Sequence, residues 1–216
     1  MKQTYRNLKI TAKLLDGRVA TYDGYLPLDS MLAYAKVERD YPELLEANTD
    51  IQYIDLPLQK KNDGTDKWYW ACSFACFEPR GESSRFWHKR FDQEHAEEFV
   101  DFQGKRGNVN VKAAKYKNYR VQLPIILTPE ITWYCVGEPT EIKELLKYIT
   151  HIGKKPAQGL GAVKEWLVEE IDEDLSWLRP VPDDNGDDEL GIRPPYWYRE
   201  NIMRVKWAND PRLGAR

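Results

Sequence analysis

Within the eighteen residues from Gln103 to Arg120 there are six cations, Lys105, Arg106, Lys112, Lys115, Lys117 and Arg120, and no acidic residue, with Tyr116 and Tyr119 interleaved. Cations hold phosphates and aromatic faces accept unstacked bases, so this mixture suits a strand of nucleic acid. A solvated basic loop would have the same composition. A second cluster, Arg85-Phe86-Trp87-His88-Lys89-Arg90-Phe91, has the same character, although Glu94, Glu97 and Glu98 follow it closely. From it Arg85, Trp87, Lys89 and Arg90 are candidate contacts to DNA or RNA. The third candidate is the stretch from His151 to Gly161, which carries Gly153, Gly159 and Gly161 together with Lys154, Lys155 and Gln158. It matches neither G-x-x-x-x-G-K-[ST] nor G-x-G-x-x-G, and it follows a helix where those motifs precede one. A phosphate here would be held by a nest of turn amides plus Lys154 and Lys155. A plain helix-to-strand turn with exposed lysines fits the same residues.

Other chemistry is sparse. Cys72 and Cys76 are four apart, which on a strand puts them on one face, but no second cysteine pair or close histidine pair completes a zinc site. Buried thiols are expected. His88, His95 and His151 are isolated from obvious acid or base partners, and no G-x-S-x-G or H-E-x-x-H motif appears. The acidic run Asp183, Asp184, Asp187, Asp188 and Glu189 sits between Pro and Gly residues and reads as a solvated loop. No cofactor or metal is expected.

These candidates sit in a chain of 216 residues with 32 Lys+Arg against 35 Asp+Glu, 42% hydrophobic and 31% charged. That suffices for one sizeable core with an appended segment and excludes a disordered or collagen-like chain. Apolar runs such as Leu123 to Leu127, itself interrupted by Pro124, fall far short of the roughly 20 residues of a membrane span. A soluble protein without membrane contact is expected. Met1 to Lys9 lacks a signal-peptide apolar core, and three cysteines cannot all pair, which together favour a reducing cytoplasm. The net charge of -3 hides a segregation. From Glu169 to Glu189 ten acids face one cation, Arg179, giving -9, so the remaining residues carry +6.

The elements that must position the candidates follow from periodicity. Leu8, Ile10, Ala12 and Leu14 alternate with polar residues and predict a strand. Leu28, Met31, Leu32 and Ala35 predict a helix capped by Asp29 and ended near Pro42. Lys67 to Phe77 predicts a buried strand. From Arg80 to Tyr116 the pattern weakens, which predicts an excursion from the core, with a short helix between Ser83 and Phe102. Tyr119 to Leu127 and Ile131 to Cys135 predict two strands, Ile142 to Ile149 a helix beginning near Pro139, and Gly161 to Ile171 a closing strand. The remainder reads as mostly loop. The order is that of an α+β, ferredoxin-like (RRM-like) domain with an insertion.

Several stretches carry a resemblance. A glycine-rich loop after the last helix of a ferredoxin-like domain resembles the RAMP superfamily of CRISPR RNA-binding proteins. Leu28 to Ala35, Val100 to Phe102 with Gly104 to Gly107, Tyr116 to Arg120, Ile131 to Gly137, Ile149 to Lys155 and Arg193 to Trp197 look like the type IV subunit that caps the 5′ end of CRISPR RNA. The resemblance implies a RAMP domain over 1–172, a thumb-like basic insertion at 78–116, and an acidic, Pro-rich extension at 173–216. It implies a non-catalytic subunit of a type IV CRISPR ribonucleoprotein serving antiviral or plasmid defence. Its partners would be the 5′ handle of the CRISPR RNA, the backbone and large subunits, and the end of a target DNA duplex. The RNA-binding set would be Lys105, Arg106, Lys112, Lys115, Tyr116, Lys117, Tyr119, Arg120, His151, Gly153, Lys154, Lys155, Gln158, Gly159 and Gly161. The catalytic histidine motif of RAMP endoribonucleases is not recognisable, so no enzyme is expected. The alternatives are a metal-independent endoribonuclease using His151 or His88, and a protein-interaction scaffold working through residues 169 to 189.

Overall fold

The computed structural model describes residues 4–45, 53–92, 95, 96, 98, 111, 112, 116–210 and 213. Its centre is an antiparallel sheet in the order β7-β1-β8, formed by β1 (Arg6–Leu14), β7 (Glu130–Gly137) and β8 (Val163–Glu170). Alternation in β1 aims Leu8, Ile10 and Ala12 at one face, where they stand opposite Cys135, Trp133 and Ile131 of β7. Against that face pack α1 (Leu28–Asp40), through Leu28, Leu32 and Ala35, and α2 (Pro139–Leu146), through Ile142, Leu145 and Leu146. The indole N–H groups of Trp133 and Trp166 are satisfied by backbone. Trp133 donates to the Leu26 carbonyl at 2.7 Å and Trp166 to that of Ile149 at 3.0 Å. At the start of α2, Pro139 occupies the first turn and the Glu138 carboxylate accepts from Thr140 and Glu141 N–H.

Asp29 does not cap α1. The N-cap is Pro27, and Asp29 lies in the first turn, fully buried, accepting from the Ser30 N–H at 2.9 Å. What draws it inward is Arg179, the one cation of the acidic run, which is also fully buried. The Arg179 guanidinium donates to the Trp70 and Cys72 carbonyls (3.0 and 3.1 Å), to the Ile192 carbonyl, and to the Tyr196 hydroxyl at 3.0 Å, and it pairs with Asp29 at 3.5 Å. Tyr196 in turn donates to the Asp29 carboxylate. Burial pushes the Asp29 carboxyl above its ordinary range, and Arg179 pulls it back.

The strand expected over Lys67 to Phe77 forms only as β4 (Tyr69–Trp70), paired with β3 (Lys60–Lys61). Beyond it the chain runs along the outer edge of β7 through two isolated bridges, Cys72 to Cys135 and Cys76 to Thr132. Between the bridges three residues on one side face two on the other, so an extra residue is inserted and the face reverses. The intervening N–H groups of Phe74 and Ala75 turn away to Leu178 and Leu26. Cys72 therefore enters the main core while Cys76 joins Leu175 and Leu178 in a separate cluster, and the two thiols do not share a face. All three cysteines are buried, and none forms a disulfide.

A second sheet, in the order β2-β6-β5, carries the excursion: β2 (Arg18–Ala20), β5 (Gly81–Lys89) and β6 (Tyr119–Leu127). Of the short helix expected between Ser83 and Phe102, residues up to Lys89 are strand instead, because they satisfy the backbone groups along the open edge of β6. His95 and Ala96 are helical, and 93, 94, 97 and 99–102 lie outside the described residues. The final stretch is also not all loop. It folds into a small sheet, order β10-β11-β9, from β9 (Val181–Pro182), β10 (Asp188–Gly191) and β11 (Ile202–Lys206). Among the described residues the molecule is thus α+β, built mostly of small antiparallel sheets with the helices α1 and α2.

Candidate nucleic-acid interface

Strands β5 and β6 pair in continuous register from Gly81 opposite Leu127 to Lys89 opposite Tyr119. At about 3.3 Å per residue this makes a ribbon on the order of 27 Å long. Strand β2 flanks only its base, where Ala20 pairs with Ile125 and Val19 with Ile126. An isolated two-stranded ribbon is marginal in water, and this one is gripped at its base on both faces. Leu160 packs against Ala20, Leu123 and Ile125 on one face, while Val19 and Ile126 join the main core on the other.

Register assigns each residue to a face. Arg85, Trp87 and Lys89 of β5 share a face with Tyr119, Val121 and Leu123 of β6, and this is the face on which Leu160 and its glycine-rich loop sit. The loop completes it. Lys155 places its ammonium 3.7 Å above the centroid of the Trp87 ring, Trp87 lies 5.0 Å from Tyr119, and the Lys89 ammonium is 5.9 Å from Tyr119. Lys154 projects beside it over Tyr22 at 4.7 Å. Two segments more than sixty residues apart are thereby joined into one cationic and aromatic surface. Neither Lys154, Lys155 nor Arg85 makes an ion pair among the described residues, so their charge is free to act on a ligand.

The amides of the loop behave otherwise than expected. Lys154 N–H donates to Ala20, Gly161 to Arg18, Ile152 to Gly161, Gln158 to Lys155 and Gly159 to Pro156. Those five close the loop on itself and on β2, and they are not open to a phosphate. The glycines have the same cause. A Cβ on Gly161 would lie 1.8 Å from the Ile152 carbonyl oxygen and one on Gly153 2.5 Å from that of Ala20. Gly159 differs, since its φ is +73° but nothing lies within 4 Å. What the loop offers outward is side-chain charge from Lys154 and Lys155, with Gln158 exposed nearby.

His151 is exposed at the mouth of a groove of about 500 Å³ between the start of α1 and the loop, with Thr150 Oγ1 3.1 Å from its Nδ1. His88 is exposed opposite Arg120 in the ribbon, and His95 lies 3.4 Å from Glu98. Tyr116 packs on Phe91 with centroids 5.1 Å apart, and Lys112, Lys117 and Arg90 are exposed. Lys105, Arg106 and Lys115 lie outside the described residues. Arg120, expected with the other RNA contacts, stands on the opposite face from Trp87 and Tyr119, its guanidinium 3.7 Å above the Phe86 ring. Phe86 and Tyr22 were not singled out as contacts by sequence reasoning. The signal for Phe86 is its alternation with Trp87, legible only once β5 is known to be strand.

Fold and surface thus define an α+β protein in which a basic, aromatic ribbon and a glycine-rich loop form one face. Residues 6–208, nearly the whole chain, match the family of CRISPR type IV associated protein Csf3. The chain belongs to that family, and with it is a subunit of a type IV CRISPR complex. No curated protein matches it significantly. Among the described residues no helix is long and apolar enough to cross a membrane.

Proposed function

We propose that this chain is the non-catalytic, RNA-binding subunit that holds the 5′ handle of the CRISPR RNA in a cytoplasmic type IV effector, beside the backbone and large subunits and near the end of the target DNA duplex. The observation that carries this reading is the ammonium of Lys155 over Trp87 at 3.7 Å. It joins the glycine-rich loop to the ribbon, so a single strand laid across both meets Lys154 and Lys155 for its phosphates and Trp87 and Tyr119 for its bases. The body is read as a ferredoxin-like RAMP domain over 1–172 with the insertion 78–116, followed by the extension 173–216. Supporting this, β8, β1, β7 and the bridged segment 72–76 lie in that order with both helices on one face of the sheet. His151 and Gln158 flank the proposed path, and the thumb residues Lys112, Tyr116 and Lys117 extend it beyond the ribbon.

The test is the affinity of repeat-derived RNA measured against salt. Lys154→Gln with Lys155→Gln should lower the log-log slope by about 0.7 for each phosphate no longer neutralised, and Trp87→Ala should weaken binding with the slope nearly unchanged. A slope unaltered by the lysine pair, at unaltered affinity, overturns the assignment.

A further inference from the structure

The ribbon has a second face, and it is built in the same way as the first. Ser84, Phe86 and His88 of β5 point to the side opposite Trp87, together with Arg120 and Gln122 of β6, and all five are exposed. Phe86 is 46% exposed although it is apolar, and the Arg120 guanidinium lies 3.7 Å from its ring centroid. At that distance the guanidinium carbon sits over the ring and the two make a positively charged step. Arg120 makes no ion pair among the described residues. On this face the nearest acid in β5 is Glu82, four residues back toward the base. His88 is directly opposite Arg120 and Gln122 directly opposite Phe86, so a hydrogen-bonding group flanks the step on each strand.

We propose that this outward face is a second single-strand site, separate from the one completed by the glycine-rich loop, in which an unpaired nucleobase stacks on the Phe86–Arg120 step and Arg120 holds the adjoining phosphate. The inference goes beyond the 5′-handle assignment, and rests on it only for the identity of the strand on the first face. The separation is geometric. Successive residues of a strand project to opposite sides, so a nucleic-acid strand on Trp87 and Lys155 does not reach Phe86 without passing around the ribbon. Stacking tolerates any base and either sugar, so DNA and RNA share the recognising chemistry, and the two are arms of the test.

The experiment uses the full chain saturated with unlabelled repeat RNA and then titrated with a fluorescein-labelled ten-nucleotide oligothymidine or oligouridine carrying one 2-aminopurine. A second binding event with quenched 2-aminopurine is expected, and the tighter of the two oligonucleotides names the source. Phe86→Ala and Phe86→Leu should weaken that second event about tenfold or more, Phe86→Trp should restore it, and repeat-RNA affinity should stay within twofold in all three. Because Phe86 is exposed, thermal melts should shift little, which separates impaired binding from impaired folding. The proposal is overturned if the RNA-saturated protein binds no second oligonucleotide, if Phe86→Leu binds it as the wild type does, or if Phe86→Ala and Trp87→Ala weaken repeat RNA equally. Should the wild type fail to bind repeat RNA at all, the first-face reading falls. The same titration of the RNA-free protein with Phe86→Leu and Trp87→Ala then decides this one alone.

Discussion

Replacing Arg179 by methionine should be among the most damaging single changes in the chain. The side chain is fully buried, and its guanidinium serves the carbonyls of Trp70, Cys72 and Ile192, the Tyr196 hydroxyl and the Asp29 carboxylate. Methionine fills much of the volume but takes the guanidinium donors away from the Cys72 and Ile192 carbonyls and the Tyr196 hydroxyl, and leaves Asp29 without its counter-charge. Breaking a buried pair by removing one member costs about 3–5 kcal/mol, a large share of the roughly 5–15 kcal/mol that holds a typical domain. In a chain of this size each kcal/mol lowers the melting temperature by about 2–4 °C. Urea unfolding followed by tryptophan fluorescence reads the destabilisation. Asp29→Asn leaves the arginine unbalanced and should also be costly, while the double variant should cost less than the two singles added, since neither charge is then stranded. A cost below about 1 kcal/mol for Arg179→Met, or strict additivity of the pair, would refute the account of Arg179 as the bolt between the C-terminal extension and α1. Because Arg179 and Tyr196 come from the extension, removing residues 173–216 should leave Asp29 buried without either partner and lower the stability of the remainder.

Two further outcomes follow from the loop and the histidines. Gly161→Val should fold poorly, because its side chain collides with the Ile152 backbone, whereas Gly159→Ala meets no neighbour and bears only the left-handed φ, on the order of 1–3 kcal/mol; melting curves of both, with RNA affinity of the folded protein, check the contrast. Purified protein should leave repeat RNA intact without added metal, and specific cutting abolished by His151→Ala or His88→Ala would replace the non-catalytic reading with an endoribonuclease.

The elements legible in the sequence are those with one wet and one dry face. β1, β7 and the helices α1 and α2 show their period because a core on one side selects apolar residues at that spacing. β5 has no such signature. Both faces of its outer half are exposed, so nothing imposes apolar alternation, and its strand character comes from the edge of β6 that it covers. The candidate site was legible as composition and not as geometry: the cations and aromatic rings were visible, but the contact of Lys155 with Trp87 depends on a docking that local sequence does not encode. Asp29 illustrates the opposite failure. A carboxylate at the start of a helix is ordinarily a cap, and only the distant Arg179 turns it into half of a buried pair.

Charge segregation acquires a physical sense from where the acids land. Asp174 takes Lys61 at 3.0 Å, Asp184 takes Lys67 at 2.7 Å, and on the strand leading into the run Glu165 takes Lys13 at 3.1 Å. Such exposed pairs add little stability, but they cancel the local field of the cations they engage. Arg85, Arg90, Lys117, Arg120, Lys154 and Lys155 make no such pair among the described residues. Asp174 and Asp184 of the acidic run thus engage two cations of the body, while the six named cations of the ribbon and the loop stay outside such pairs. An acidic extension is accordingly consistent with a nucleic-acid-binding protein, and its ion pairs on the body make it less available as an independent docking surface than its composition alone suggests.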